Sequence, residues 1–172
     1  MHCDGAWGKA GAGITAILTP LRAPKLRYAA GLDFLTTNNI AEYEAVLLGL
    51  QKLGALGVRR CIIKSDSQEV VGHIEKEFIV KETELIKYLA AVTRMEKHFA
   101  GFTLRHIPRN ENAEADELAK VAAQRAPMLI DVFLSRAISQ SHMRRRGTAL
   151  QRAYYRKQGL EISHIRLPQW SL

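Results

Sequence analysis

NIAEYEAVLLGLQKLG, residues 39–54, is the stretch where the character of this 172-residue chain changes. It is rich in Ala, Leu, Glu, Gln and Lys and contains no Pro, a helix-forming composition. Apolar residues run almost without a break through its second half, so the helix is expected to be buried over most of its surface. Asn39 reads as its N-cap and Gly54 or Gly57 as its stop.

Toward the N-terminus the signals are those of strands. GAGITAILT, residues 11–19, follows a Gly-rich turn, Pro20 and Pro24 bracket a connection, and Lys25 to Leu32 fits a third strand. With residues 1–6 these predict a three-stranded antiparallel meander. Toward the C-terminus, Cys61-Ile62-Ile63, led in by Val58, suits a buried strand, and Ser65-Asp66-Ser67 opens a helix to about Lys76. A further helix covers roughly Thr83 to Phe99, with Leu85, Leu89, Val92 and Met95 or Glu96 on one face. Phe102 to Ile107 alternates as a strand, and Asn110 to Gln124 is the last clear helix, with Ala115, Leu118, Ala119 and Ala122 on one side. Strand–helix–strand units after a meander imply right-handed parallel crossovers. The expected fold is α/β: a mixed five-stranded sheet, three antiparallel strands then two parallel, with helices on both faces.

Pro127 marks a boundary between a domain over residues 1–125 and a C-terminal extension over 126–172, expected to be partly helical or disordered, with a short apolar helix over Met128 to Ala137. The net charge of +8 sits mostly in that extension: it carries 8 Lys+Arg against 2 Asp+Glu, where residues 1–125 carry 17 against 15. Such a tail can hold a phosphate backbone without reading sequence, or be a solvated appendage. No apolar run is long enough to span a bilayer, and MHCDGAWGKAG is no secretory signal. Cys3 and Cys61 are expected as free thiols in a reducing compartment. Together these imply an intracellular protein, cytoplasmic or nuclear, not secreted and without a membrane partner.

Four acids stand out by position. Asp4 falls in the first strand, Glu42 in the first turn of the long helix, Asp66 directly after the fourth strand, and Asp116 in the middle of the last helix. Groups at strand ends and adjacent helix starts converge at one edge of an α/β sheet. Clustered carboxylates repel one another, and hard divalent cations relieve the repulsion. Two such ions about 4 Å apart can activate water and stabilise the leaving oxygen in phosphodiester cleavage. Each acid also has a plain reading. Asp4 could belong to an Asp-Gly turn, Glu42 could answer the Asn39 cap, Asp66 could itself be a cap, and Asp116 could be a surface acid like Glu114 and Glu117.

The residues around the acids add a resemblance. Asp4-Gly5-Ala6, Gly11-Ala12-Gly13, Thr37-Asn38-Asn39-Ile40-Ala41-Glu42-Tyr43, Ser65-Asp66-Ser67-Gln68, and His106-Ile107-Pro108-Arg109 through Ala115-Asp116-Glu117-Leu118-Ala119 resemble the ribonuclease HI family. They are most similar to the RNase H domain of gypsy-type plant retrotransposon polyproteins, in order and spacing, over about residues 2–125. The resemblance implies an RNase H-like fold and endonucleolytic hydrolysis of the RNA strand of RNA·DNA hybrids by two-metal-ion catalysis. It assigns Asp4, Glu42, Asp66 and Asp116 as catalytic metal ligands, with Mg²⁺ as the ion and Mn²⁺ as the alternative. Glu42, and not Glu44, is the match, because it holds the position after Asn-Asn-x-x.

His106, ten residues before Asp116, matches a histidine that assists proton transfer or product release; its plain alternative is a strand-end histidine bound to a backbone carbonyl. Asn38, Asn39 and Gln68 match positions that touch the hybrid's minor groove, where a 2′-hydroxyl distinguishes RNA from DNA, and Thr37 matches one that binds a DNA-strand phosphate. Helix capping is the plain alternative for Asn38 and Asn39. The implied partners are an RNA·DNA hybrid and a reverse transcriptase in the parent polyprotein.

The chain also departs from the pattern. Only Met1, His2 and Cys3 precede Asp4, where relatives supply a longer strand. Ala6 and Trp7 replace small polar residues, with Trp7 expected to pack against the sheet edge rather than stack on substrate. The segment Glu75 to Lys81 is mixed in sign, where some cellular relatives carry a basic handle. The clipped first strand and the odd C-terminal tail motivate the competing reading, a catalytically weak or inactive retroelement-derived nucleic-acid-binding domain. An integrase-like transferase is a third reading, disfavoured because such an enzyme has no need to recognise a 2′-hydroxyl.

Overall fold

Small residues on both faces of the central strands let helices lie directly on the sheet. The computed structural model describes residues 1–127, 131–134 and 138–142. β1 (His2–Gly8) and β2 (Gly11–Leu18) form an antiparallel hairpin running from His2 opposite Ile17 to Gly8 opposite Gly11. Gly11 has φ +127°, which an L side chain rarely adopts, so glycine is required at this turn. β3 (Leu26–Leu32) pairs antiparallel with β2. The chain continues through α1 (Asn38–Ala55), β4 (Arg60–Ser65), α2 (Gln68–Ile74), α3 (Thr83–Glu96) and β5 (Gly101–His106). A 3₁₀ turn (Arg109–Glu111), α4 (Ala113–Gln124) and β6 (Val132–Leu134) follow. β4 joins β1 in parallel at His2 opposite Lys64, β5 joins β4 in parallel, and the sheet order is β5-β4-β1-β2-β3-β6.

Strand alternation sends successive side chains to opposite faces. A Cβ on Gly5 would lie 2.4 Å from the Ala41 backbone in α1, and one on Gly13 would lie 2.3 Å from the Ala123 backbone in α4. Because Gly5 pairs with Ile14, the neighbour of Gly13, α1 and α4 occupy opposite faces. α2 and α3 pack against α1. The larger core lies on the α1 face, where Ile14, Tyr43, Leu47, Leu50, Ile63, Leu85, Tyr88 and Val92 are buried. Each such aliphatic side chain contributes about 1.5–3 kcal/mol by leaving water. A smaller cluster of Ile17, Ala29, Ala115, Leu118, Ala122 and Val132 lies under α4.

The expected mixed α/β sheet with helices on both faces is present, with six strands rather than five. Val132–Leu134 hydrogen-bonds in parallel to β3 at Arg27, Tyr28 and Ala29, and Ile138 bridges Leu32. The short apolar helix expected over Met128 to Ala137 is therefore interrupted by strand. Residues 128–130 and 135–137 of that expectation lie outside the described residues. The physical reason is the open edge of β3, whose unpaired N–H and C=O groups a three-residue apolar segment can satisfy. The Arg144-Arg145-Arg146 run also lies outside the described residues.

Helix limits shift by small steps. Thr37, not Asn39, is the N-cap of α1; its hydroxyl accepts from the Ile40 N–H at 3.3 Å. α2 ends at Ile74, short of Lys76, which takes φ +65°. α4 starts at Ala113, because residues 109–111 form a separate 3₁₀ turn. Among the described residues no helix is long and apolar enough to cross a membrane.

Candidate active site

Asp4 lies inside β1, paired with Thr15, so the Asp-Gly pair is strand and not turn. Its side chain points to the α4 face and is almost wholly buried. Gly5, beside it, points the other way, and its lack of a Cβ admits the α1 backbone. That approach brings Glu42 to β1: the Gly5 N–H donates to Glu42 Oε2 at 3.2 Å. Glu42 thus lies one residue beyond the first turn of α1 and serves β1 rather than its own helix cap.

Asp66 follows β4 directly. It is spared capping work because Ser67 caps α2, its hydroxyl accepting from the Val70 N–H at 3.3 Å, and the Ser65 hydroxyl accepts from the Ser67 N–H at 3.1 Å. Asp116 lies in the first turn of α4, earlier in that helix than its composition suggested. Two residues absent from the sequence-based site join these acids. The Asn112 amide donates to Asp66 Oδ1 at 2.6 Å and to the Cys3 carbonyl at 3.0 Å, and reaches Asp4 Oδ1 at 3.5 Å. The exposed Arg109 guanidinium lies 3.7 Å from Asp66 Oδ2 and 3.6 Å from Asp116 Oδ1. Their sequence signals were available, since Arg109 ends the His106 box and Asn112 stands one turn before Asp116. Neither is an acid, so neither reads as a metal ligand by itself.

The four acids come together at one end of the sheet, and they repel. Burial raises Asp4 to about 8, helped by the Asp66 charge, a hydrogen bond with Asp66 and the Asp116 charge, against a smaller opposing effect of Arg109. Burial likewise pushes Glu42 well above the usual carboxylate range, with the Asp4 and Asp66 charges adding to it and the Gly5 N–H and Arg109 opposing. The Cys3 thiol rises too, through burial and then the charges of Glu42 and Asp4. Without a metal, the site therefore favours the protonated form of Asp4.

Among the described residues, no three His, Cys, Asp or Glu side chains already stand as a metal's ligand set. The Asn112 and Arg109 donors lie among the carboxylates instead. The chemistry of the donor set nevertheless fits a hard divalent cation: four carboxylates, two of them with raised affinity for a proton.

The other sequence-derived candidates surround this cluster. His106 ends β5 opposite Ser65, exposed at the rim, and alternation places it with Phe102 and Leu104 on the α1 face rather than among the acids. Thr37 and Asn38 are exposed and Asn39 half-buried at the start of α1, and Gln68 is exposed as the first residue of α2. Trp7 is 57% exposed, so sheet-edge packing covers less than half of it.

A meander followed by parallel crossovers, with acids from β1, α1, the end of β4 and α4 meeting at one sheet end, defines an RNase H-like domain. The chain belongs to the reverse transcriptase-like family, whose profile matches residues 2–122. It is similar to a bifunctional protein of Mycobacterium tuberculosis, 31% identical over 90 residues, which are 52% of this chain and 25% of that protein. The chain thus spans about a quarter of the length of that relative. Among solved structures it resembles LC11-RNase H1 in complex with an RNA/DNA hybrid, with TM-score 0.65 and 29% identity over 72% of this chain and 95% of that one. RNase H1 of the halophilic archaeon Halobacterium salinarum shares the fold, with TM-score 0.66 and 23% identity over 70% and 93% of the two chains.

Proposed function

We propose that this protein hydrolyses the RNA strand of RNA·DNA hybrids endonucleolytically, using two divalent metal ions, and leaves 3′-hydroxyl and 5′-phosphate ends. The observation that carries this reading is the convergence of Asp4, Glu42, Asp66 and Asp116 from four elements, with the Asp4 carboxyl pushed up to about 8 by burial and its acidic neighbours. An arrangement so costly to the metal-free fold is explained by a cation that discharges it. Asp4 and Asp66 would be the central ligands, Glu42 would help fix the attacking water and the RNA, and Asp116 would hold the second metal. The ions, Mg²⁺ or Mn²⁺, activate water and stabilise the leaving oxygen when bound.

The chain's own groups set the geometry. Gly5 fixes Glu42, the end of β4 presents Asp66, and α4 presents Asp116. The helix starts carrying Thr37, Asn38, Asn39 and Gln68 offer amides and N–H groups to the hybrid, where amides can read a 2′-hydroxyl. We read His106 as the group that moves a proton to or from the departing product, although it stands at the rim on the α1 face and not among the acids. The similarity to LC11-RNase H1, solved with an RNA/DNA hybrid, supports the substrate. We read the source as a gypsy-type plant retrotransposon polyprotein, in which a reverse transcriptase is the partner.

One observation favours the second reading, an inactive nucleic-acid-binding domain: Arg109 and Asn112 engage the carboxylates, and no ready ligand set is present among the described residues. Labelled hybrid, duplex DNA and duplex RNA incubated with the protein and Mg²⁺ decide between them. The nuclease reading expects cleavage of the hybrid's RNA strand and its loss in Asp66→Asn. Hybrid binding without cleavage, where a control enzyme cuts, sinks it.

A further inference from the structure

Asn112 sits at the N-cap of α4, a position that Asn fills well because its side-chain oxygen can accept from the first free N–H groups. Here it makes no such bond. Its main-chain carbonyl accepts from the N–H groups of Ala115 and Asp116, both at 3.0 Å, so the helix start is met by backbone and the side chain is released for other use. It turns into the acid cluster, 1% exposed, and meets three acceptors: the Cys3 carbonyl, Asp66 Oδ1 and Asp4 Oδ1. Because all three are acceptors, the amide's NH₂ end must face them. Its Oδ1 is left buried without a partner, which an amide placed only for stability would avoid. One side chain therefore joins β1, the end of β4 and the start of the helix that carries Asp116.

We propose that Asn112 is a positioning residue for the metal-binding carboxylates. Its N–H groups hold Asp66 and Asp4 at a fixed separation before a cation arrives, and its main chain couples that separation to Asp116. This rests on the nuclease reading of the site for its consequence in catalysis, but not for its consequence in metal binding. Partners that orient a metal's ligands typically alter affinity or activity by about 10–100-fold when removed.

The test is Asn112→Ala in the full chain. Its Mn²⁺ affinity is read by calorimetry, its thermal midpoint by circular dichroism, and its hybrid cleavage as kcat, KM and the Mg²⁺ concentration for half-maximal rate. Expected are a loss of Mn²⁺ affinity and a rise in the Mg²⁺ requirement of about 10–100-fold, a lower kcat and an unchanged KM. Metal affinity and cleavage within about twofold of the parent overturn the proposal, as does a lowered thermal midpoint with unchanged metal affinity. If neither protein cuts but Asn112→Ala still loses Mn²⁺ affinity, positioning stands and the nuclease reading falls. If the Ala variant does not fold, Asn112→Ser, which keeps one donor, carries the same measurements; it is expected to lose less, and parent-like metal affinity in it overturns the proposal.

Discussion

Glu42 and Glu44 stand two residues apart on α1, both buried, and meet opposite surroundings. Glu42 faces other acids: burial, Asp4 and Asp66 push it well above its ordinary range, with one backbone N–H and the Arg109 charge to oppose them. Glu44 faces donors. The Tyr88 hydroxyl donates to it at 2.7 Å, the His142 N–H donates at 2.7 Å, and the His142 ring nitrogen Nδ1 contacts its other oxygen. Burial alone would raise Glu44, but these partners outweigh it and leave it below its ordinary value. A buried acid whose lone pairs are filled by the protein is part of the fold. A buried acid left among its own kind is one whose repulsion a cation would relieve. The two residues differ in which side of one helix they occupy, since two residues turn the direction by about 200°.

The comparison can be broken at several points. The largest effect is expected at Glu44. Glu44→Ala strands the buried His142 and Tyr88 groups, and unfolding in urea should show a loss of about 3–5 kcal/mol, as when a buried pair loses one member. Cleavage per folded molecule should be unchanged; a proportionate fall in rate would place Glu44 in the site. Glu42→Gln is expected to do the reverse, cutting kcat by about 10²–10³-fold while the metal-free protein stays at least as stable as the parent. A Gly5→Ala variant sits between the two. Its Cβ would lie 2.4 Å from the α1 backbone, so a loss of about 1–3 kcal/mol together with reduced activity is expected.

The pH dependence sharpens the contrast further. Asp4 holds its proton to about pH 8 in the folded chain and loses it near its ordinary value of 3.8 when unfolded. Between those limits the folded state binds more protons, so metal-free stability falls as pH rises through that window. Glu44, with its pKa lowered, contributes stability that is lost as pH falls through the acid range. Urea midpoints in chelator at pH 5, 7 and 9 should decline, and Asp4→Asn should flatten the decline; an unchanged slope in that variant refutes the assignment. The smallest effect is expected for the exposed Arg109. Arg109→Ala should weaken stability by less than about 1 kcal/mol, and less again at high salt.

Much of this was legible before any coordinates. The change of period at residues 39–54 separated meander from helix, and the β-strand and helix order set the sheet's handed crossovers. β6 was not legible, because Val132–Leu134 is too short to show a period and is strand only where β3 leaves an edge open. Thr37 and Asn39 are both good caps by composition, and the choice between them fell to the geometry by which α1 leaves the loop. At the site, the acids' identities were readable, whereas the parts played by Arg109 and Asn112 were not, since a guanidinium and an amide acquire them only beside Asp66.

The sequence by itself determined the elements other than β6, the glycines that allow close approach, and the set of acids available, because these follow from local backbone preference and residue chemistry. Only the tertiary structure decided that Glu42 is left with Asp4 and Asp66 while Glu44 is met by Tyr88 and His142. The reason is that a carboxylate's state depends on the charges and donors within a few ångströms, and here those come from residues 24 to 98 positions away along the chain.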